Sequence, residues 1–226
     1  MNAIKAIFNR QLNDFPKNMS VSLMFFLWPI MAFVMNHFMG EYGAVQVGMF
    51  AGFFVGSAPM LAIANTVAED NEYKSLRFLV MAGVKPVHYL VGLTISVFLM
   101  SAFTIAAFIL IGDFQGQHLI QFLIAAVIGA FASALLGAVF GIFAKNVQQA
   151  SSISTPAMMI LMFLPMLSMF NETIAMIAQF TFSYQVLAVV QNPDVDFTRA
   201  LIVLAANVAV LLVLFAVAYK KKGLKG

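Results

Sequence analysis

Residues 68–92 read AEDNEYKSLRFLVMAGVKPVHYLVG and separate two long apolar runs. This short stretch holds six of the 12 basic and 9 acidic side chains in the chain. Tyr73, Leu76 and Val80 recur at helical spacing within it. The two flanking apolar runs are predicted to be membrane spans. The helical spacing predicts that the charged stretch between them is a cytoplasmic helix that a soluble partner can contact.

The composition is that of a membrane protein, because 62% of the 226 residues are hydrophobic, only 9% are charged and the mean hydropathy is +0.95. A span needs about 20 mostly apolar residues. Six stretches qualify, at residues 20–39, 45–68, 87–111, 119–144, 151–170 and 200–219. What remains is too short for a soluble domain, so residues 1–226 are predicted to form one all-α transmembrane domain.

Basic side chains indicate the orientation, because Lys and Arg in short loops stay in the cytoplasm. With the N-terminus inside, Arg199 is the one basic residue placed outside. The remaining basic residues lie on the inner side: Lys5, Arg10, Lys17, Lys74, Arg77, Lys85, Lys145, Lys220, Lys221, Lys222 and Lys225. Both termini are therefore predicted to be cytoplasmic. The net charge of +3 fits attraction to anionic membrane lipid, and no nucleic-acid partner is expected.

The first 17 residues form a predicted amphipathic helix, in which Ile4, Ile7, Phe8 and Leu12 share one face. Such a helix lies flat on a membrane surface. It serves either as an anchor alone or also as a contact for a cytoplasmic partner. The charged loop likewise leaves two interpretations open: a helix that binds a partner, or a solvated loop that only enforces topology.

Two further patterns concern packing. Small residues recur every four positions in the second and fourth predicted spans, at Gly48, Gly52, Gly56, Gly129, Ser133, Gly137 and Gly141. This spacing favours close helix packing within one subunit, with a dimer contact as the alternative. Segment 171–197 contains two apolar runs, IAMIAQFTF and YQVLAVV, that are each too short to cross the membrane. The segment is therefore predicted to form short helices that dip into the outer leaflet and pack against protein. A loosely folded hairpin is the alternative.

The order of these features is similar to that of one known family. An acidic pair, the run SLRFLVMAGV and the sequence KPVHYLVG entering a span together resemble the permease subunit of type-2 ATP-binding cassette exporters. The resemblance covers nearly the whole chain. It implies six spans with an N-terminal elbow helix, a coupling helix between spans 2 and 3, and outer re-entrant helices between spans 5 and 6.

The resemblance also implies partners and site residues. A cytoplasmic ATPase subunit would contact the coupling helix through Glu69, Asp70, Glu72, Lys74, Leu76 and Arg77. A second permease subunit, identical or different, would complete a path lined by spans 1, 2 and 5. Candidate polar positions on that path are Ser57, Asn65, Thr66 and Ser154.

The chain contains no G-x-x-x-x-G-K-[ST] phosphate-binding motif, so ATP and magnesium are expected on the partner ATPase and no cofactor on this chain. No catalytic residue or metal site is predicted. The predicted function is export of a hydrophobic or amphipathic cargo, such as a peptide, drug or lipid-like molecule, across a bacterial cell membrane. The alternatives are a membrane scaffold or sensor subunit and an ATP-independent carrier. The carrier is disfavoured because ionisable residues are scarce within the spans.

Overall fold

The structure is a computed structural model that describes residues 19–39, 43–75, 81, 86–192 and 194–223. The predicted elbow helix at residues 1–17 lies outside these ranges. Within them the chain forms eight α-helices and no strand. The helices are α1 (Met19–Met39), α2 (Gly43–Glu72), α3 (Pro86–Gly112), α4 (Gly116–Phe143), α5 (Val147–Ser168), α6 (Glu172–Ala178), α7 (Phe182–Gln191) and α8 (Phe197–Gly223).

Each of the six predicted spans corresponds to a long helix. Among the described residues, α2, α3, α4, α5 and α8 are long and apolar enough to cross a membrane, and the apolar segment Ser22–Phe38 of α1 is shorter. The pair α6 and α7 is a sixth candidate if it is treated as one bent span. The all-helical membrane fold is therefore confirmed at this level, and helix α2 continues to Glu72, beyond residue 68 where the second span was predicted to end.

Helix α2 lies at the centre of the fold. Every residue from 47 to 64 except Met49 is buried. The helix packs most extensively against α4 and also contacts α1, α3, α5 and α7. Because α2 is surrounded by protein, its side chains are apolar on all faces rather than along one stripe. Any movement of α2 must therefore be accommodated by five neighbouring helices.

The small residues of α4 explain its close approach to α2. A Cβ added to Gly137 would overlap the carbonyl oxygen of Met60, and one added to Gly141 would lie 2.7 Å from that of Ala64. A side chain at either position would collide with backbone, which cannot rotate away as a side chain can. Packing of these glycines within one subunit, as predicted from their spacing, is confirmed.

Helices α6 and α7 form the bent pair, with an angle of 113° between them. Side-chain caps begin both helices, because Asn171 accepts a hydrogen bond from the backbone N–H of Thr173 and Thr181 accepts one from Tyr184. Seven of the ten residues of α7 are buried, against α2, α4, α5 and α8. This packing excludes the loosely folded hairpin that the sequence left open.

The turn between α6 and α7 reaches well along α8. The Nδ2 atom of Asn207 donates to the carbonyl oxygen of Phe180 at 2.9 Å, and Nη2 of Arg199 donates to Oε1 of Gln179 at 2.6 Å. Asn207 lies eight residues beyond Arg199 in α8, or about 12 Å along the helix axis. The backbone of the α6–α7 turn therefore contacts α8 at Asn207, well past the start of that helix.

Candidate functional site

The acidic stretch that opens the predicted coupling segment forms the C-terminal end of α2. Glu69, Asp70 and Glu72 occupy its last turn, which contains no basic residue. The helix then stops at Lys74, whose φ of 56° is the left-handed conformation that commonly terminates helices. Acids at a helix C-terminus are disfavoured by the helix dipole. This end of α2 therefore needs compensating contacts.

One compensating contact is internal to the subunit. Asp70 is 1% exposed and its carboxylate accepts a hydrogen bond of 2.8 Å from the hydroxyl of Tyr89, which is fully buried in α3. A buried carboxylate must be hydrogen-bonded to be tolerated. The contact places Asp70 between α2 and α3 within the subunit, whereas the sequence predicted it on a surface that an ATPase subunit contacts.

Asn71 connects the same end of α2 to the end of α4 by hydrogen bonds. Its Nδ2 atom donates to the carbonyl oxygens of Gly141 at 2.9 Å, Ile142 at 3.3 Å and Ala144 at 3.2 Å. These carbonyls lie at the C-terminus of α4, where backbone carbonyl groups lack N–H partners within the helix. One amide group therefore satisfies the end of a helix that is distant in sequence.

Glu72 extends this connection to the next helix. Its carboxylate is exposed and accepts a hydrogen bond of 3.4 Å from the backbone N–H of Val147, the first residue of α5. Asn146 caps α5 independently, because its side chain accepts from the N–H of Gln149 at 2.8 Å. The end of α2, the α4–α5 turn and the start of α5 are thus held as one unit, which we call the coupling junction (residues 69–72 and 141–147).

The remaining predicted partner contacts are placed as follows. Glu72 and Lys74 are exposed and Glu69 is half-buried. Leu76 and Arg77 lie outside the described residues. Glu72 therefore lies within the coupling junction and Lys74 just beyond it, and both remain predicted contacts.

The predicted cargo-path residues separate into two groups. Ser57 and Ser154 are fully buried. The Ser57 hydroxyl donates to the carbonyl of Phe53 at 2.6 Å and accepts from Nε1 of Trp28 at 2.9 Å, which joins α1 to α2. In this conformation Ser57 is a packing residue between two helices. Neither serine presents its hydroxyl to a surface of the subunit.

Asn65 and Thr66 form the second group, because both remain partly exposed. Oδ1 of Asn65 accepts a hydrogen bond of 3.1 Å from the hydroxyl of Ser151 in α5. Exposed Ser152 and Thr155 lie within the next four residues of α5, and each hydroxyl donates to a carbonyl four residues earlier. These three α5 residues were missed by the sequence analysis, although the run SSIST at residues 151–155 was the available signal.

No group of three or more His, Asp or Glu side chains that could hold a metal ion occurs among the described residues. The His118 side chain makes a hydrogen bond within the subunit, because its Nε2 lies 2.8 Å from the carbonyl oxygen of Val189. A carbonyl only accepts, so Nε2 carries the proton in this contact. His118 thereby connects α4 to α7.

Comparison with known protein families gives one match over residues 2–217, to the family described as ABC-2 family transporter protein. No curated protein matches the chain significantly. The family match covers nearly the whole chain and confirms the resemblance inferred from the charged loop and its flanking spans. Membrane components of this kind have no nucleotide-binding site of their own. The chain therefore belongs to the ABC-2 transporter family and is a multi-pass permease subunit of an ABC transporter.

Proposed function

We propose that this permease works with a separate cytoplasmic ATPase subunit to export a hydrophobic or amphipathic cargo. The family match supports the transport role, and the lack of a phosphate-binding motif in the chain supports hydrolysis on a partner. ATP and magnesium would bind that partner. The distribution of Lys and Arg supports cytoplasmic termini and a cytoplasmic position for the coupling junction.

The coupling junction is the observation that carries the proposal. Segment 73–85 follows α2 directly, and Asn71 and Glu72 bind the end of α2 to α4 and α5. Force applied to the segment by an ATPase would reach both of those helices. Since α2 also contacts α1, α3 and α7, the force would be distributed through most of the subunit. Closure of two ATPase halves could in this way reorient the spans.

Exposed Glu72 suggests the chemistry of the ATPase contact. An acid at the negative end of a helix is unfavourable in isolation. A basic side chain from the partner would neutralise both the carboxylate and the helix end. Lys74 and Arg77 add cations in the residues that follow, so the sequence offers an acid followed by bases. We therefore expect a partner groove with charges of both signs.

The cargo path would lie beside α1, α2 and α5 of two permease subunits. Phe26, Ile30 and Phe33 of α1 and Ile160 of α5 are all at least 49% exposed in the single chain. Asn65, Thr66 and Ser151 provide scattered polar groups on the neighbouring surface. A route with this composition suits a cargo that is largely apolar with a few polar groups, because each polar cargo group could exchange water for a hydroxyl or amide.

The bent pair α6–α7 is proposed to be re-entrant, entering and leaving the membrane on the outer side. The depth of the α6–α7 turn beside Asn207 and the burial of α7 support this assignment. Backbone at that depth is tolerated when it is packed in protein. The pair would close the outer end of the path.

The test is ATP hydrolysis by the full chain co-purified with its candidate ATPase in lipid nanodiscs. We expect a stable complex whose ATPase activity responds to cargo, and loss of coupling or detachment in Glu72→Ala and Arg77→Ala. Glu172→Ala is the matched control, since Glu172 is an exposed acid in the first turn of α6, at the opposite end of the helical body. Stable association without cargo-dependent hydrolysis would favour a scaffold or sensor subunit. Cargo movement without any ATPase would favour a carrier.

A further inference from the structure

A cavity of about 280 Å³ lies where α7 ends and α8 begins. Its lining includes Gln179, Gln185, Asn192, Asp194, Asp196 and Arg199. We call this cavity the outer polar pocket. Pockets that enclose drug-sized ligands measure about 300–1,000 Å³. The outer polar pocket is therefore suited to a small polar group rather than to a whole apolar cargo.

Charges of both signs face this pocket without neutralising each other. Arg199 donates to the amide oxygen of Gln179 and, within the described part of the chain, forms no ion pair with a carboxylate. Asp196 accepts from the backbone N–H of Arg199 at 3.1 Å and so caps the start of α8. The Asp194 carboxylate has no hydrogen bond to another described residue, although its backbone N–H donates to Asn192. One guanidinium and two carboxylates thus remain available to a ligand.

The surroundings of the pocket are apolar and exposed. Ile177 and Phe180 on the α6 side are 61% and 64% exposed, and Ile202 on α8 is 64% exposed. Phe180 directly follows the pocket residue Gln179, and Ile202 lies one turn beyond Arg199. A ligand with a zwitterionic end and long apolar chains would match both features. Its charged end would fill the pocket while its chains lay along the exposed side chains.

We propose that the outer polar pocket binds the headgroup of a zwitterionic phospholipid with a primary ammonium, as in phosphatidylethanolamine. The phosphate would pair with Arg199, whose guanidinium offers several N–H donors. The ammonium would donate to Asp194 and Asp196. A quaternary ammonium has no N–H to donate, so phosphatidylcholine should bind less tightly. Two carboxylates against one guanidinium should also disfavour an anionic headgroup.

This inference goes beyond the proposed function, because the lipid would bind whether or not cargo moves. The full chain, purified in detergent micelles, is mixed with equal amounts of phosphatidylethanolamine, phosphatidylcholine and phosphatidylglycerol that carry the same acyl chains. Native mass spectrometry then measures the lipid retained. We expect phosphatidylethanolamine to bind about tenfold more tightly than the other two lipids, the difference produced by one charge-assisted hydrogen bond.

Arg199→Gln and Asp194→Asn should each remove this preference. Asp113→Asn is the matched control, because Asp113 is an exposed acid at the same end of the helical body and its positive φ of 48° is tolerated by asparagine. Circular dichroism confirms that each variant retains its helices. Equal retention of the three lipids, tighter binding of phosphatidylglycerol, or an unchanged preference in both pocket variants would overturn the proposal. Displacement of the lipid by an equal concentration of free phosphoethanolamine would overturn its lipid specificity.

Discussion

The hydroxyl of Tyr89 donates a 2.8 Å hydrogen bond to the carboxylate of Asp70, and both side chains are shielded from solvent. The bond joins α2 to α3 immediately before the charged loop. A carboxylate from the charged stretch thus makes its contact inside the subunit.

Tyr89→Phe is expected to lower the free energy of unfolding by about 1–3 kcal/mol, because a buried carboxylate loses a donor. Thermal unfolding in detergent, followed by circular dichroism, measures the change. Tyr73→Phe is the control, since the Tyr73 side chain is 68% exposed at the same end of the subunit. An equal effect of the two substitutions would contradict a specific role for the buried pair.

The contact between Trp28 and Ser57 should show measurable coupling between α1 and α2. A double-mutant cycle with Trp28→Phe and Ser57→Ala is expected to give an interaction energy of about 0.5–1.5 kcal/mol, the usual net value of a hydrogen bond. Unfolding of the four proteins under identical detergent conditions provides the measurement. Strict additivity of the two substitutions would show that the bond does not join the helices energetically.

Asn71→Ala should loosen the coupling junction, because three carbonyl oxygens at the end of α4 lose their shared donor. Hydrogen–deuterium exchange is expected to rise in residues 141–147 and to stay unchanged in the α6–α7 turn. Asn207→Ala serves as the reciprocal control, since Asn207 bonds to the carbonyl of Phe180 at that turn. Uniformly faster exchange in both regions for Asn71→Ala would indicate global destabilisation instead.

Gly137→Ala should force α2 and α4 apart, because the new methyl group would meet the carbonyl of Met60. Overpacking of this kind typically costs about 1–3 kcal/mol of stability. Ala106→Val, which adds two methyl groups on an exposed face of α3, is the comparison. Thermal unfolding of both variants provides the measurement, and wild-type stability in Gly137→Ala would contradict the close backbone contact.

The sequence was sufficient for the helices and for the packing of the small residues. Apolar runs of about 20 residues predict spans directly, and the four-residue spacing of Gly137 and Gly141 predicts a close helix contact. Short helices in segment 171–197 were also expected, because its two runs are apolar yet each too short to cross the membrane. These features depend on local composition and periodicity, which a single sequence displays.

The contacts of the coupling junction could not be predicted in the same way. Asn71 and Gly141 are separated by 70 positions, and no local pattern brings them together. Asp70 lies in a run of charges, which ordinarily indicates a solvated face, yet tertiary packing buries it beside Tyr89. The roles of Ser57 and Ser154 likewise depend on which face of each helix meets a neighbour.

The glycine contacts between α2 and α4 have a mechanical consequence. Where backbone meets backbone at Met60 and Gly137, neither helix can slide along the other without a collision. The two helices should therefore move together as a rigid pair, and only the helices packed around them can change their angle relative to this pair. Substitutions on the outer faces of α1 or α5 are then expected to leave the relative position of α2 and α4 unchanged.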